Sequence, residues 1–345
     1  MWANGGTRCL IDRRIDVRLL SEGALAELID VAQMISWTEE AFLAFSTGHA
    51  NVPLRSELLR DSPNGVLFAM PAMVGTDSIG VKVVGSVERP DQVERATTCL
   101  MLIWDATTLV PLGLLSADTF NEHRTAAALA AATRALARPN SANHTIFGAG
   151  KLAFASALYI SNVCPIRRLF IVSRTADRVE KLAERLRKNP RFAGLEVITG
   201  VDRDEAAQAA DVITTLTTSA TPVFDGKTVR SGTHINLGGA FRPDMREMDD
   251  TVAAKAGFWL DHRESCTRRA GDVVQPLQSG VLTEDRVYGE IGAVFSGAAP
   301  GRHSEQEITV FKSLGVAAQD VFLGRRLLEQ AERSGKGTIF EERDA

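Results

Sequence analysis

The sequence predicts an α/β protein in which a doubly wound, parallel-sheet domain is joined to a second, α+β domain. Three observations predict this class. After Pro139, short apolar runs alternate with helical runs, a rhythm typical of a parallel sheet covered by helices on both faces. The first of these apolar runs ends in a glycine-rich turn. The chain before Pro139 instead contains several consecutive β-like runs, which favour a separate meander or mixed sheet.

The first part of the chain begins with two predicted helices. Apolar residues recur at helical spacing between residues 25 and 45, on either side of Trp37. Four β-like runs follow, at 65–70, 78–84, 98–104 and 110–115. A long alanine-rich helix is then expected from about Thr119 to Leu136, with Pro139 marking its end.

The second part carries the β/α alternation. Strands are expected at 145–147, 169–173, 195–199, 212–216, 234–237 and 258–261, with helices at 176–187 and 204–210. The last apolar run, 308–323, is expected to form a helix that returns to the first domain. We therefore expect a flexible extension at 1–17, a first domain at 18–139 closed by 302–345, and the parallel-sheet domain at 140–301.

Composition excludes several classes of function. The 345 residues are 45% hydrophobic and 24% charged, with a net charge of −4, so the chain is neither disordered nor fibrous. It has no basic excess to attract nucleic acid or anionic lipid, and no apolar run reaches the roughly 18 residues of a membrane span. The 4 cysteines are scattered, without metal-ligand spacing. We expect reduced thiols, no metal and a cytoplasmic location.

The glycine-rich turn indicates a dinucleotide site. Gly148 and Gly150 open a GxGxxA motif between a predicted strand and a predicted helix. There the first glycine permits a tight turn and the second admits a pyrophosphate to the helix N-terminus. The alternative is a glycine turn with no ligand. The next strand ends in Ser173, Arg174 and Thr175 without the carboxylate that binds the ribose of NAD. A guanidinium suits a 2′-phosphate, so we expect NADP(H) in preference to NAD(H), unless Arg174 only caps a loop.

Three cations stand where a core or a helix is expected. Lys82 lies inside an otherwise apolar strand, Arg55 follows a turn-like segment, and Arg124 lies in the first turns of the long helix. Each could be an ordinary surface or edge cation, but together they suit an anionic substrate, because guanidinium groups grip carboxylates. His123 is a candidate proton donor. Glu122 stands three residues after Thr119, a spacing that also fits a capping box.

Several segments together resemble the ornithine cyclodeaminase/mu-crystallin family. They are VPLR at 52–55, GVKVV at 80–84, RTAA at 124–127, GAG at 148–150, GTHIN at 232–236 and TVFKSLGVAAQD at 309–320. The resemblance extends in order from about Leu19 to Gln330. It implies a Rossmann-type domain, a substrate-binding and dimerisation domain formed by the N-terminal part with the C-terminal helix, and a homodimer acting on amino or imino acids with a nicotinamide cofactor.

The resemblance also implies roles for single residues. Arg55, Lys82 and Arg124 resemble the family's substrate-carboxylate cluster, and Leu314 matches a substrate-side position. Cofactor contacts are implied, in addition to Arg124 and the residues named above, for Thr97, Lys151, Leu152, Ser173, Thr217 and Ser313. Phe241 stands where cyclodeaminases carry a proton-transferring Asp, and a phenyl ring transfers no proton. Arg242-Pro243-Asp244 and the Ser173-Arg174-Thr175 turn instead resemble the mu-crystallin branch of NADPH-dependent ketimine reductases.

We therefore expect an NAD(P)H-dependent reductase of carboxylate-bearing imines, such as pyrroline- or piperideine-2-carboxylate or a small iminoacid. Lys82, Arg124 and His123 are the expected catalytic residues, although the sequence does not identify which group keeps the imine nitrogen protonated. Three alternatives remain. The protein could deaminate, as an ornithine or lysine cyclodeaminase or an alanine-type dehydrogenase. It could bind NADPH and a small molecule with little turnover. It could also join an amine to a keto acid reductively.

Overall fold

The first part of the chain folds into a mixed, mostly antiparallel sheet. The computed structural model describes residues 16–61, 64–76, 78–87 and 96–341. The strands of this sheet run in the order β16-β1-β7-β6-β5-β4-β2, with β3 also paired to β4. Their bounds are β1 (Asp16–Leu20), β2 (Ala50–Asn51), β3 (Ser56–Arg60), β4 (Gly65–Val74), β5 (Ser78–Val87), β6 (Ala96–Asp105), β7 (Pro111–Ser116) and β16 (Thr338–Glu341).

Four helices accompany this sheet: α1 (Glu22–Leu28), α2 (Val31–Ser46), α3 (Asp118–Leu136) and α11 (Ala317–Arg333). Helix α11 packs on β4, β5 and β6. The first two helices meet at Ile29 and Asp30 rather than at Trp37, because the Asp30 carboxylate accepts a hydrogen bond from the Gln33 amide at 2.9 Å and caps α2 there. Trp37 lies inside α2.

The second part forms a parallel sheet, as the alternation predicts. Its strand order is β10-β9-β8-β11-β12-β15-β13-β14, and every pairing is parallel. The strands are β8 (Asn143–Phe147), β9 (Arg168–Val172), β10 (Glu196–Ile198), β11 (Val212–Thr215), β12 (His234–Leu237), β13 (Gly257–Leu260), β14 (Val287–Glu290) and β15 (Thr309–Lys312). Its helices are α4 (Lys151–Val163), α5 (Ala176–Arg187), α6 (Arg203–Ala209), α7 (Asp250–Ala253), α8 (Arg263–Arg269), α9 (Gly271–Gln278) and α10 (Ile291–Phe295).

The long helix α3 joins the two halves. It contacts α2 on one side and α4, β12 and β15 on the other. Its central residues 126–132 are all fully buried, since a helix that is apolar on every face can be surrounded by neighbours. Within the described ranges, no helix is long and apolar enough to cross a membrane.

Three expected boundaries differ from the structure. The run 308–323 is not one helix: its β-branched start forms β15 in the middle of the parallel sheet, and α11 begins only after Gly315, whose φ is +86°. The parallel-sheet unit therefore extends past residue 301. Within the expected extension 1–17, Asp16 and Val17 belong to β1 and pair with β16; residues 1–15 lie outside the described part.

Candidate functional site

The glycine turn forms a cradle at the carboxyl end of β8. Gly148 has a φ of +110°, and a Cβ there would lie 2.7 Å from the Leu216 carbonyl oxygen, so only glycine fits. Gly150 is the N-cap residue of α4, and among the described residues beyond its chain neighbours no heavy atom lies within 4 Å of the position a Cβ would take. No side chain of the described part of the chain caps α4. Open space beside uncapped helix amides fits a dinucleotide pyrophosphate, with Lys151 and Leu152 in the first helical turn.

The strand next to this turn ends without a carboxylate. Ser173 is half-buried after β9, whereas Arg174 and the α5 N-cap residue Thr175 are exposed. The three residues follow the carboxyl end of β9. They lie beside the glycine turn at the carboxyl end of β8, since the two strands are parallel neighbours. Parallel α/β sheets bind nucleotides at the carboxyl ends of their strands.

Two more loops at the carboxyl ends of the parallel strands are held by one buried carboxylate, that of Glu247. Glu247 accepts hydrogen bonds from the Thr217 amide at 2.6 Å and the Thr217 hydroxyl at 2.8 Å. It also accepts the amides of Gly239 and Ala240, both at 2.9 Å. The loops after β11 and β12 are therefore fixed to each other. The Thr217 hydroxyl, expected to contact the cofactor, is turned inward onto Glu247.

The loop after β15 is held in the same way by Asp261. Its Oδ2 accepts the Ser313 hydroxyl at 2.9 Å, the Leu314 amide at 2.7 Å and the Gly315 amide at 2.6 Å. The loop that leads into α11 is thus rigidly placed. Ser313 resembles Thr217 in that its hydroxyl points to a buried carboxylate.

Lys82 and Arg124 meet at a carboxylate that the sequence reasoning did not select. The Lys82 ammonium lies 2.6 Å from Asp320 Oδ2, and Arg124 Nε lies 3.2 Å from Asp320 Oδ1. Lys82 and Asp320 are 1% and 0% exposed. Asn121 Oδ1 accepts hydrogen bonds from Lys82 at 3.4 Å and from Arg124 Nη2 at 2.7 Å. We call these four residues the buried ion cluster.

The surroundings set the protonation of Lys82. Burial, together with repulsion from Arg124, lowers the pKa of Lys82 to about 8, while Asp320 opposes that shift. Such an ammonium still carries its proton at neutral pH but can release it, which is the property of a useful general acid.

A cavity of about 290 Å³ lies beside the buried ion cluster. Its lining includes Arg55, Met70, Leu314 and Gly315. Met70 is the β4 partner of Lys82 in the sheet register, and the Gly315 Cα faces Arg124 Nη1 so closely that any side chain would collide with that nitrogen. Arg55 and Leu314, both expected on the substrate side, therefore line one cavity, and two other lining residues, Met70 and Gly315, are neighbours of the cluster.

His123 occupies a different environment. Its Nδ1 lies 3.0 Å from the Tyr159 hydroxyl on α4, and burial, with a smaller contribution from Arg185, lowers the pKa of His123 to about 4. The structure thus pairs this residue with Tyr159 and not with the buried ion cluster. Glu122 is likewise not the cap of α3, because the Glu22 carboxylate accepts the Asp118 and Thr119 amides at 2.9 and 2.8 Å.

The remaining predicted positions lie as follows. Thr97 is in β6, on the sheet face that also carries Cys99 and Lys82, and its hydroxyl donates to Ser86 at 3.3 Å. Phe241 lies in the loop after β12 and is 37% exposed. Among the described residues, no group of three or more His, Cys, Asp or Glu side chains could hold a metal ion.

Asp320 and Asn121 are the site residues that sequence reasoning missed. A signal for Asp320 exists: it is a lone carboxylate in the otherwise uncharged stretch 313–324, the same reason that drew attention to Lys82. Asn121 carries no comparable signal, because a polar residue near a helix start is unremarkable in a sequence, although in the structure this one is half-buried.

Comparison with known proteins is consistent with this arrangement. The model of the ornithine cyclodeaminase/mu-crystallin family matches residues 17–335. The chain belongs to this family. The resemblance drawn from the motifs and the α/β fold expected from the sequence are thereby confirmed.

Three similar proteins are informative. Ketimine reductase mu-crystallin of Mus musculus is 31% identical over 329 residues, which cover 94% of this chain and 100% of that protein. The Delta(1)-pyrroline-2-carboxylate reductase of Thermococcus litoralis, solved with NADH and L-proline, is 31% identical with a TM-score of 0.86, covering 93% of this chain and 99% of that one. An archaeal alanine dehydrogenase dimer with bound NAD is 29% identical with a TM-score of 0.87, covering 94% and 99%.

Proposed function

We propose that this protein reduces the C=N bond of a carboxylate-bearing imine with a nicotinamide cofactor, NADP(H) in preference to NAD(H). The observation that carries the proposal is the buried ion cluster, which places two cations behind the cavity-lining residues Met70 and Gly315, beside the loops of the parallel sheet. The similar Thermococcus litoralis reductase was solved with NADH and L-proline, the amino acid that such a reduction yields.

The glycine turn, the amides of α4 and the edge residues Ser173 and Arg174 hold the cofactor, which supplies hydride when bound. Arg124 and Arg55 bind the substrate carboxylate. The Nε and Nη2 atoms of Arg124 are taken by Asp320 and Asn121, while Nη1 lies against Gly315, a residue that lines the cavity. Fixing the carboxylate in this way orients the imine carbon, and orientation can lower a barrier by several kcal/mol.

Lys82 holds the proton that the reaction needs. The imine nitrogen takes up one proton and the imine carbon one hydride, so the imine, a proton and the reduced cofactor give the amine and the oxidised cofactor. Lys82 is protonated at neutral pH, whereas the lowered pKa of His123 leaves its ring neutral there. We therefore assign the proton to Lys82, with Asp320 stabilising the charged form.

Phe241 disfavours the cyclodeaminase alternative. It occupies the loop position at which cyclodeaminases carry a proton-transferring Asp, and the nearby carboxylate of Asp244 is paired with Arg242 at 2.9 Å.

We also propose a homodimer that packs through the outer face of the antiparallel sheet. Lys82 and its register neighbours face α11, whereas the alternate positions face outward. There Leu67, Met73 and Leu100 are 42%, 39% and 50% exposed. A broad apolar sheet face of this kind is typical of a protein interface. The similar alanine dehydrogenase is described as a dimer. The buried thiols of Cys99, Cys164 and Cys266 support a reducing, cytoplasmic location.

The test is NADPH oxidation with imines of five- and six-membered rings and with small acyclic imines. We expect turnover, and we expect Arg55→Ala and Lys82→Met to lower kcat/KM by orders of magnitude while NADPH binding, followed by its fluorescence, persists. Lys181→Ala, on the exposed surface of α5, is the matched control. Full activity in Arg55→Ala and Lys82→Met, or NADPH binding without oxidation of any imine, would overturn the proposal.

A further inference from the structure

The cavity beside the buried ion cluster carries more positive charge than one substrate carboxylate requires. Arg55, Arg268 and Arg269 all contribute to its lining, together with His262 and Ser265. The described residues that line it include no Asp or Glu. Arg124 adds a fourth guanidinium behind Gly315.

The nearest counter-ion is shared between two of these arginines. Arg55 Nε lies 3.3 Å from Glu57 Oε1, and Arg269 Nη2 forms an ion pair with the same oxygen. Two guanidinium groups therefore share one carboxylate as their counter-ion. In addition, Arg55 Nη2 and Arg269 Nε are buried without an acceptor among the described residues. A buried, unpaired donor is costly, so this wall keeps a hydrogen-bonding capacity that Glu57 alone does not satisfy.

The cations divide between two ends of the cavity. Arg124 lies behind Gly315, where the loop 313–315 enters α11, and supplies the proposed contact with the reacting carboxylate. Arg268 and Arg269 lie at the end of α8, and Ser265, on the same helix, also faces the cavity. Arg268 pairs with Glu264 at 3.0 Å and its side chain is 64% exposed, whereas the Arg269 side chain is 35% exposed and keeps a buried Nε without an acceptor among the described residues. Arg269 is therefore the principal cation of this wall.

We infer that the α8 wall binds a second acidic group, carried on the side chain of the substrate. The substrate class is then the imine of a four- or five-carbon 2-oxodicarboxylic acid, with one carboxylate at Arg124 and the other at Arg269. This inference rests on the proposed function and specifies its substrate. A cavity of about 290 Å³ lies at the lower end of ligand-pocket volumes, as a compact diacid requires.

The experiment compares two imines of nearly equal shape. One forms in solution from oxaloacetate and ammonia, and the other from 4-methyl-2-oxopentanoate and ammonia, in which a branched methyl pair replaces the distal carboxylate. We expect the diacid imine to have the higher kcat/KM, by at least tenfold. Arg269→Gln should lower the ratio of the two kcat/KM values by roughly 10- to 100-fold, as expected for loss of a charged hydrogen bond. Arg263→Gln, a change on the same helix at a residue that pairs with Glu284, should leave the ratio as it is.

Binding of the amine products gives a readout that does not depend on turnover. Titration calorimetry with the oxidised cofactor present should show tighter binding of L-aspartate than of L-leucine, and Arg269→Gln should remove the difference. Equal or reversed preference in the wild-type protein, or an unchanged ratio in Arg269→Gln, would overturn the inference while imine reduction itself still stands. If no imine is reduced, the proposed function fails, and the calorimetric comparison alone decides whether the α8 wall selects an acid.

Discussion

Replacing Asp320 with asparagine tests the protonation assigned to Lys82. The substitution keeps the shape of the side chain and removes the negative charge that lies 2.6 Å from the Lys82 ammonium. The pKa of Lys82 is about 8 because burial and Arg124 lower it while Asp320 raises it. An opposite charge at this range shifts a pKa by about 1–3 units, so its loss should bring the pKa of Lys82 to roughly 5–7.

The consequence is a displaced alkaline limb in the pH profile. If protonated Lys82 is required, kcat/KM for imine reduction falls as pH rises through the pKa of Lys82. In D320N this fall should occur about 1–3 pH units earlier. For a shift of about two units, kcat/KM at pH 7.5 drops roughly 25-fold, and most of the loss is recovered near pH 5.5.

The assay is kcat/KM measured by NADPH oxidation between pH 5.5 and 9.5, with circular dichroism to confirm folding at each pH. Glu329→Gln, also on α11 and paired with Arg325 at the surface, is the matched control and should follow the wild-type profile. A D320N profile that is uniformly lower but still bends near pH 8 would refute the reasoning, because Asp320 would then serve packing alone.

The remaining predictions concern the cofactor, the interface and stability. Arg174→Ala should raise KM for NADPH and leave KM for NADH nearly constant, because the exposed guanidinium after β9 is the proposed 2′-phosphate ligand; an unchanged NADPH/NADH preference contradicts this. Leu100→Arg should convert the dimer to monomer in light scattering, since a 50% exposed leucine would become a charge buried at the interface; a retained dimer contradicts the proposed face. Burial lowers the pKa of His144 and of His234 from 6.5 to about 3. Only the unfolded chain then takes up protons as pH falls below 6.5, so stability should decline by about 1.4 kcal/mol per pH unit for each histidine. Urea unfolding at pH 7, 6 and 5 measures how steeply the free energy of unfolding changes with pH, and His144→Gln should make this change less steep. The same pH dependence in His144→Gln and in the wild-type protein would contradict the assignment.

Local sequence signals predicted the parallel-sheet unit well. The glycine turn at Gly148, the strand before it and the helix after it are specified by residues adjacent in the chain, and the structure reproduces them. The secondary structure near the end of the chain was harder to predict, because the apolar run 308–323 fits a helix as well as a strand. Its first residues form β15, which pairs with β12 and β13 in the parallel sheet. This pairing is a tertiary contact that the local sequence does not reveal.

The buried ion cluster shows the same limit at the level of single residues. Lys82 could be selected because a cation is unusual in an apolar strand, and Arg124 because it begins the RTAA segment that resembles the family. Their common partner, Asp320, comes from the far end of the chain, and pairing over such a separation leaves no local pattern. The orientation of His123 could not be predicted either, since neighbouring residues on a helix point about 100° apart, and only the packing of α3 against its neighbours decides that Arg124 joins the buried ion cluster while His123 meets Tyr159 on α4.

The short crossing 313–316 between β15 and α11 has a mechanical consequence. This strand belongs to one sheet and this helix packs on the other, so the four residues form one of the two chain connections between the halves, the other being the segment between α3 and β8. The same residues carry Leu314 and Gly315 into the wall of the cavity. A change in the relative position of the two halves must therefore reshape the cavity, and a ligand bound there contacts both halves at once. Binding of a ligand and the relative position of the two halves are therefore coupled through this carboxylate-anchored crossing.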